Sequence, residues 1–243
     1  NCYPMKNKFY STGKIIIVGH RGAPMLAHEN TLDSFMRAFN AGLKIIEIDV
    51  QLSKDEKLVI FHDWEIKNDQ GLNKKICSLN YSTILEICHE KDFHIPLLNE
   101  VLDILPKKCF INIEIKSSGL FKSIIEEKIL KIVKSKKIAD KVIISSFNPF
   151  LIRRVKKIEP KILTALLWTN NSTPLLFNSP LWVWLCKPDG FHIDYCYANE
   201  RMIKWAKKKK LTVLLFTINK TEDFIEAIRM GADGIFTDNP YII

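Results

Sequence analysis

IIEIDVQL, Ile45 to Leu52, alternates acidic or amide side chains with aliphatic ones. A strand turns successive side chains to opposite faces, so Glu47, Asp49 and Gln51 share one face and Ile46, Ile48 and Val50 the other. FINIEIK, Phe110 to Lys116, repeats the device, with Phe110, Asn112, Glu114 and Lys116 on one face and Ile111, Ile113 and Ile115 opposite. The isoleucine faces suit packing beneath helices, and strands of a parallel barrel are buried on both sides. The acids therefore point into an interior where they need compensation.

Outward from these two strands, short β-branched runs alternate with amphipathic stretches, the pattern of a parallel sheet with helical crossovers. Strands are predicted at Lys14 to Val18, Lys44 to Val50, Cys109 to Ile115, Lys141 to Ser146, Ile162 to Leu167, Gly190 to Asp194, Thr212 to Thr217 and Gly234 to Thr237. The clearest helices are Thr31 to Ala41, Phe121 to Lys136, Pro149 to Ile158, Glu200 to Lys209 and Thr221 to Met230. Thr31 and Thr221 are expected to cap helix starts, and Gly42 and Gly231 to follow helix ends in a left-handed conformation. Eight strand–helix units in 243 residues predict one domain spanning 1–243, a (β/α)8 TIM barrel, a fold that takes roughly 250 residues.

Two stretches break the rhythm. Trp64 to Leu98, after a hairpin end at Lys57 to Asp63, is expected to be a small insertion following the second strand. Thr169 to Pro188 contains Pro174, Pro180 and Pro188 and is too broken for a regular crossover helix. Its Leu181, Trp182 and Trp184 either pack against the barrel or dip into a lipid interface.

Hydrophobic residues at 47% and charged residues at 26% match globular usage and exclude a disordered or fibrous chain. The net charge of +9 favours an anionic partner, although much of the excess sits on helix faces such as Lys131 to Lys137 and Lys204 to Lys210. No nucleic-acid module is visible, so no nucleic-acid partner is expected. The six cysteines, Cys2, Cys77, Cys88, Cys109, Cys186 and Cys196, lack the close pairing of a zinc ribbon or a disulfide scaffold. A reducing, cytoplasmic setting is therefore expected, with export or membrane association as the alternative if a segment upstream of Asn1 is removed. No apolar run reaches the roughly 18 residues that cross a bilayer.

Three inward carboxylates, Glu47, Asp49 and Glu114, repel one another and lose solvation unless a cation or Lys116 neutralises them. One divalent cation is expected, and all-oxygen ligation favours Mg2+ or Ca2+. An acid–lysine network around Lys116 is the structural alternative. His20, after the first strand, and His62, after the hairpin, fall where a barrel carries its catalysts. Arg21 can fork onto phosphate oxygens, Gly22 permits a tight turn, and Asp63 can fix the His62 tautomer. His28, His89, His94 and His192 read as structural.

The ordered blocks GHRGAPMLAHENTLDSFMRAFNAG from Gly19, IEIDVQLSKDEKLVIFHD from Ile46 and INIEIK from Ile111 resemble the glycerophosphodiester phosphodiesterase family. SSF at Ser145, FTIN at Phe216 and GADGIFTDNP at Gly231 also look like family signatures, so the similarity spans Lys14 to Pro240. His28 stands where the family has proline and Phe216 where it commonly has tryptophan. The resemblance implies Glu47, Asp49 and Glu114 as metal ligands, and His20 and His62 as acid and base. It further implies Arg21 and Lys116 on phosphate, Glu29 lining the same mouth, and the insertion shaping head-group choice. Phe216 is either an apolar wall for the glycerol carbons or barrel core.

The expected activity is metal-dependent hydrolysis of a small glycerophosphodiester to glycerol 3-phosphate and an alcohol. The runner-up is a lysophospholipase D or sphingomyelinase D-like enzyme working at a membrane surface. A silent phosphate-binding scaffold is the rival of another class.

Overall fold

The acidic and isoleucine faces do close into a barrel in the computed structural model, which describes residues 15–67, 71, 73–89, 93–117, 124–171, 179 and 181–242. Strand β1 (Ile16–Gly19) leads through helix α1 (Leu32–Asn40) into β2 (Ile45–Leu52). The chain then makes β3 (Leu58–Ile60), the hairpin strands β4 (Glu65–Lys67) and β5 (Asn73–Lys75), and helices α2 (Tyr81–His89) and α3 (Leu98–Ile104). Alternation resumes with β6 (Phe110–Ile115), α4 (Ile124–Ser135), β7 (Val142–Ser146), α5 (Pro149–Ile158), β8 (Leu163–Trp168) and the short α6 (Trp182–Cys186). It ends with β9 (Gly190–Asp194), α7 (Glu200–Lys208), β10 (Thr212–Phe216), α8 (Thr221–Arg229) and β11 (Gly234–Thr237).

The sheet runs β1-β11-β10-β9-β8-β7-β6-β2, and β1 also pairs with β2, so eight parallel strands close on themselves as a (β/α)8 barrel. Ile46, Ile48 and Val50 of β2 and Ile111, Ile113 and Ile115 of β6 are buried in the shell under the helices. The opposite faces line the interior. There Ile16, Val18, Ile45, Ile143, Ala165, Leu214 and Phe236 form a separate apolar cluster. Along β2 the interior face thus passes from Ile45 to Glu47 and Asp49, from an oily base to a charged mouth at the strands' C-terminal ends.

Several local expectations hold. Thr31 accepts a hydrogen bond from the Ser34 amide at 3.2 Å, Gly42 sits at φ 103° after α1, and Gly231 lies at φ 97° after α8. Thr221 does not cap α8: Lys220 holds the cap position, and its carbonyl already accepts from Phe224 N, so the helix begins one residue earlier than the threonine suggests.

After β2 the chain leaves the barrel alternation, with β3 antiparallel to β2 and the β4–β5 hairpin beyond it. Ile66, Ile76, Ile84, Ile87, Cys88 and Ile95 pack with Val59 of β3 into a small separate core, and the helix α2 that carries three of them was not announced by the sequence. Among its described residues, the proline-broken stretch forms one short helix, the five-residue α6. Its aromatic patch divides, since Trp182 packs on Phe150 with ring centroids 5.4 Å apart while Leu181 and Trp184 are 71% and 77% exposed. Lys14, the start of the helix predicted from Phe121, Pro174, Pro180 and Cys2 lie outside the described residues. The five described cysteines are free, and no described helix is long and apolar enough to cross a membrane.

Candidate active site

Neighbouring strands β2 and β6 place Asp49 opposite Glu114 and Glu47 opposite Asn112. Carboxylate oxygens of Glu47, Asp49 and Glu114 all lie within 4.8 Å of one another. Glu47 is 2% and Asp49 1% exposed, and Glu47 Oε1 and Asp49 Oδ1 are buried with no hydrogen-bond partner. Burial, with the charges of Asp49 and Glu114, pushes Glu47 well above the usual carboxylate range. Burial also opposes ionisation of Asp49, but the charges of Lys116, His62 and Arg21 and a hydrogen bond from Asn30 outweigh it and hold Asp49 low.

Lys116 Nζ is 3.2 Å from Glu114 and 3.8 Å from Asp49, and despite burial these carboxylates keep it firmly charged. One lysine and a shared arginine do not balance three acids. The two orphaned oxygens fit a divalent cation, and an all-carboxylate donor set suits Mg2+ or Ca2+. Glu47, Asp49 and Glu114 are the residues that would hold it.

The loop after β1 is shaped to serve that cluster. Arg21 adopts φ 51°, which turns its amide toward Glu47 Oε2 at 2.7 Å, while its guanidinium meets Glu29 at 2.8 Å and Asp49 at 3.4 Å. Gly22 is at φ 93°, and a Cβ there would stand 2.4 Å from Ser34 Oγ and 2.7 Å from its backbone. Only glycine lets the loop lie on the start of α1, where Ser34 Oγ accepts from Ala23 N and donates to Arg21 O. Asn30 completes the cradle, its amide nitrogen donating to Asp49 Oδ2 at 2.9 Å.

The two histidines are each backed by a carboxylate. His62 Nδ1 is 2.7 Å from Asp63 Oδ1, and Gln51, on the acidic face of β2, fixes the segment by donating to the carbonyls of Phe61 and Asp63. His20 Nδ1 is 2.7 Å from Asp238 Oδ1, just after β11. Asn219 secures Asp238 twice, donating to its carboxylate at 2.6 Å and accepting from its amide at 2.7 Å. Burial alone would raise Asp238, but the hydrogen bond and charge of His20, with Asn219 and Arg21, keep it below the usual range. With Nδ1 held, Nε2 of each imidazole is the nitrogen left for chemistry.

The structure thus brings His20, Arg21, Glu29, Glu47, Asp49, His62, Glu114 and Lys116 into one connected mouth. Phe216 is half-buried at its edge, meeting Phe147 and Phe236 edge-on at 6.1 and 6.3 Å. Of the other histidines, His192 is fully buried in the barrel interior against Phe236, and His28 stacks on Phe93. Sequence reading missed Asp238, Asn219 and Asn30. Asp238 directly follows the last strand and Asn219 nearly follows β10, so the rule that catalysts sit after barrel strands was the available signal.

Comparison with known proteins gives the same picture. A glycerophosphodiester phosphodiesterase of Caldanaerobacter subterraneus subsp. tengcongensis is 33% identical over 237 residues, covering 93% of this chain and 95% of that protein. The crystal structure of a glycerophosphodiester phosphodiesterase from Thermotoga maritima superposes with TM-score 0.73 at 30% identity, covering 93% of this chain and 95% of that one. A phosphodiesterase from Oleispira antarctica, solved with the product sn-glycerol-3-phosphate, superposes with TM-score 0.76 at 25% identity over 95% of this chain and 96% of that one. Residues 20–242 match a single family model, and the chain therefore belongs to the Glycerophosphoryl diester phosphodiesterase family.

Proposed function

We propose that the protein hydrolyses glycerophosphodiesters to glycerol 3-phosphate and an alcohol, with a divalent cation at Glu47, Asp49 and Glu114 and with His20 and His62 as the acid–base pair. The observation that carries this reading is the joint geometry of the mouth: three converging carboxylates flanked by two histidines, each tied through Nδ1 to its own acid. Relatives with the same architecture are glycerophosphodiester phosphodiesterases, one of them solved with glycerol 3-phosphate.

A bound cation supplies Lewis-acid stabilisation of charge on the phosphoryl oxygens. Arg21 and Lys116 add fixed positive charge beside it, and because both are tied to carboxylates they are positioned before substrate arrives. One histidine takes the proton from the attacking oxygen, and the other returns one to the leaving alcohol oxygen. The glycerol hydroxyl next to the phosphorylated carbon is already held at high effective molarity. Its attack displaces the alcohol and leaves a cyclic phosphate, which water then opens to glycerol 3-phosphate. Phe216 offers the glycerol carbons an apolar wall.

A lipid-acting reading is favoured by one observation, the exposed Leu181 before α6 and Trp184 on it. One assay separates the readings. The purified protein is given soluble glycerophosphodiesters and lysolipids in turn, with Mg2+, Ca2+ or chelator, and glycerol 3-phosphate and free alcohol are measured. Release from soluble diesters only with cation supports the proposal, faster release from lysolipids supports the second reading, and no release from any substrate overturns both.

A further inference from the structure

The connections that lead from helix to strand all lie at the base of the barrel, opposite the mouth, because the eight parallel strands run from base to mouth. Those entering the neighbouring strands β2, β6, β7, β8, β9 and β10 each carry an exposed lysine: Lys44, Lys107, Lys137, Lys161, Lys187 and Lys210. We infer that this basic face docks the protein on an anionic lipid bilayer, with the mouth turned to the aqueous phase. The docking is independent of the chemistry at the mouth.

The backbone gives the first reason. Lys137, Lys187 and Lys210 adopt φ of 57°, 49° and 62°, the left-handed region that a residue with a Cβ enters at a cost. Helices α1 and α8 end on Gly42 and Gly231 in that conformation. Gly42 N donates to Phe39 O and Leu43 N to Ala38 O, and Gly231 N donates to Ile228 O and Ala232 N to Ala227 O. Helices α4 and α7 close by the same pattern around a lysine. Lys137 N donates to Lys134 O and Ile138 N to Val133 O, while Lys210 N donates to Lys207 O and Leu211 N to Ala206 O. Glycine is the relaxed choice at such a position. The helix dipole favours a lysine anywhere in the last turn, so it gives no reason to place one at the strained residue. Strain retained at a solvent-facing charge points to a use for that charge.

The distribution of charge agrees. Glu47, Asp49, Glu114, Asp63 and Asp238 gather at the mouth, so the net +9 is carried elsewhere. At the base, Asp103, Asp189 and Asp233 are already tied to Lys136, Lys156 and Lys207, outside the six. Asp140 and Glu159 offset part of the arc and leave it positive. Apolar side chains sit among the lysines: Ile15 before β1, Ile104 ending α3 and Ile158 ending α5 are 46%, 37% and 48% exposed. The two kinds meet in a groove of about 360 Å³ between the ends of α4 and α5. There Leu130, Val133 and Ile158 line the same space as Lys131, Lys134 and Lys137, with Glu127 and Glu159 as its acids. Ammonium groups around isolated isoleucines match a layer of anionic head groups over acyl carbon.

The test is co-sedimentation of the whole chain with vesicles of equal parts phosphatidylglycerol and phosphatidylcholine, and with phosphatidylcholine alone. Wild type should partition onto the anionic vesicles, and less as salt rises. Replacing Lys137, Lys187 and Lys210 together by glycine should weaken partitioning by about 10²-fold, at about fivefold per lysine. Glycine takes the left-handed conformation without strain, so Tm should be no lower. If that variant is unstable, Lys44→Gln with Lys107→Gln and Lys161→Gln takes its place. The same charge removed at the mouth end, by Lys54→Gln with Lys57→Gln and Lys220→Gln, should change partitioning little, as should Trp184→Leu on α6. Equal partitioning onto both vesicle types, or none, overturns the inference. So does an equal loss in the mouth-end variant, which would make the attraction one of bulk charge, or retention on RNA without partitioning onto vesicles.

Discussion

His20 Nδ1 and Asp238 Oδ1 meet at 2.7 Å although 218 residues separate them, so the first and last strands of the barrel are joined at the catalytic mouth. Asp238 is not one of the clustered acids Glu47, Asp49 and Glu114, and its proposed role is to orient the imidazole. His20→Ala is expected to lower kcat by about 10² to 10⁴, the usual range for lost acid–base help. Asp238→Asn should lower it less, and the double variant should be no worse than His20→Ala, since the aspartate has nothing left to orient. Steady-state kinetics on the three variants give the answer, and fully additive losses would show that Asp238 has an independent role.

Under the proposed metal role, the orphaned oxygens of Glu47 and Asp49 would make a bound cation a stability element as well as a catalytic one. Adding Mg2+ or Ca2+ to stripped protein should raise Tm, because a ligand at about 100 times its Kd adds roughly 2.7 kcal/mol. Asp49→Asn and Glu114→Gln should shrink that rise and abolish turnover. Glu47→Gln should remove the rise too, yet raise the Tm of the stripped protein, because it replaces a carboxyl whose ionisation burial and the charges of Asp49 and Glu114 oppose. Thermal scans with and without chelator measure both quantities. Full turnover in chelator would refute the metal role.

Attack by the neighbouring glycerol hydroxyl has a chemical signature. A diester lacking that hydroxyl should be cleaved at least about 10²-fold more slowly, given the large effective molarity of an oriented internal nucleophile. Trapping a cyclic glycerophosphate early in single turnover by ³¹P NMR would support the same route. Equal rates on the deoxy substrate would instead assign the attack to water.

His192 provides a prediction away from the site. Burial in the barrel interior lowers its pKa to about 3, and neither ring nitrogen has a hydrogen-bond partner. The unfolded chain, with a pKa near 6.5, binds a proton that the folded state refuses between about pH 6.5 and 3. Stability must therefore fall as pH drops through that window, by about 1.4 kcal/mol per pH unit from this residue. Urea midpoints from pH 7 to 4 should fall less steeply in His192→Leu than in wild type, and parallel profiles would rule the residue out.

Much of this was legible along the chain. The alternation of acids with isoleucines in β2 and β6, the Thr31 cap and the left-handed Gly42 are consequences of period and sterics over a few residues, and all appear where the sequence puts them. The candidate ligands and histidines were legible too, because the three acids fall on the interior-facing period of β2 and β6 and each histidine follows a strand, and the direction of a parallel strand decides which end of the barrel it faces. What sequence left open depended on closure. Whether Trp182 or Trp184 would be covered turned on the seat of α6 against α5, and helix α2 is held by the small core that the insertion builds around it. The partners of His20 and of Asp49 are set by register, with Ile16 beside Gly234 and Val18 beside Ile45. Local propensity says nothing about which distant strands become neighbours; the burial of all eight strands at once does, and only then do Asp238, Asn219 and Asn30 arrive beside the groups they hold.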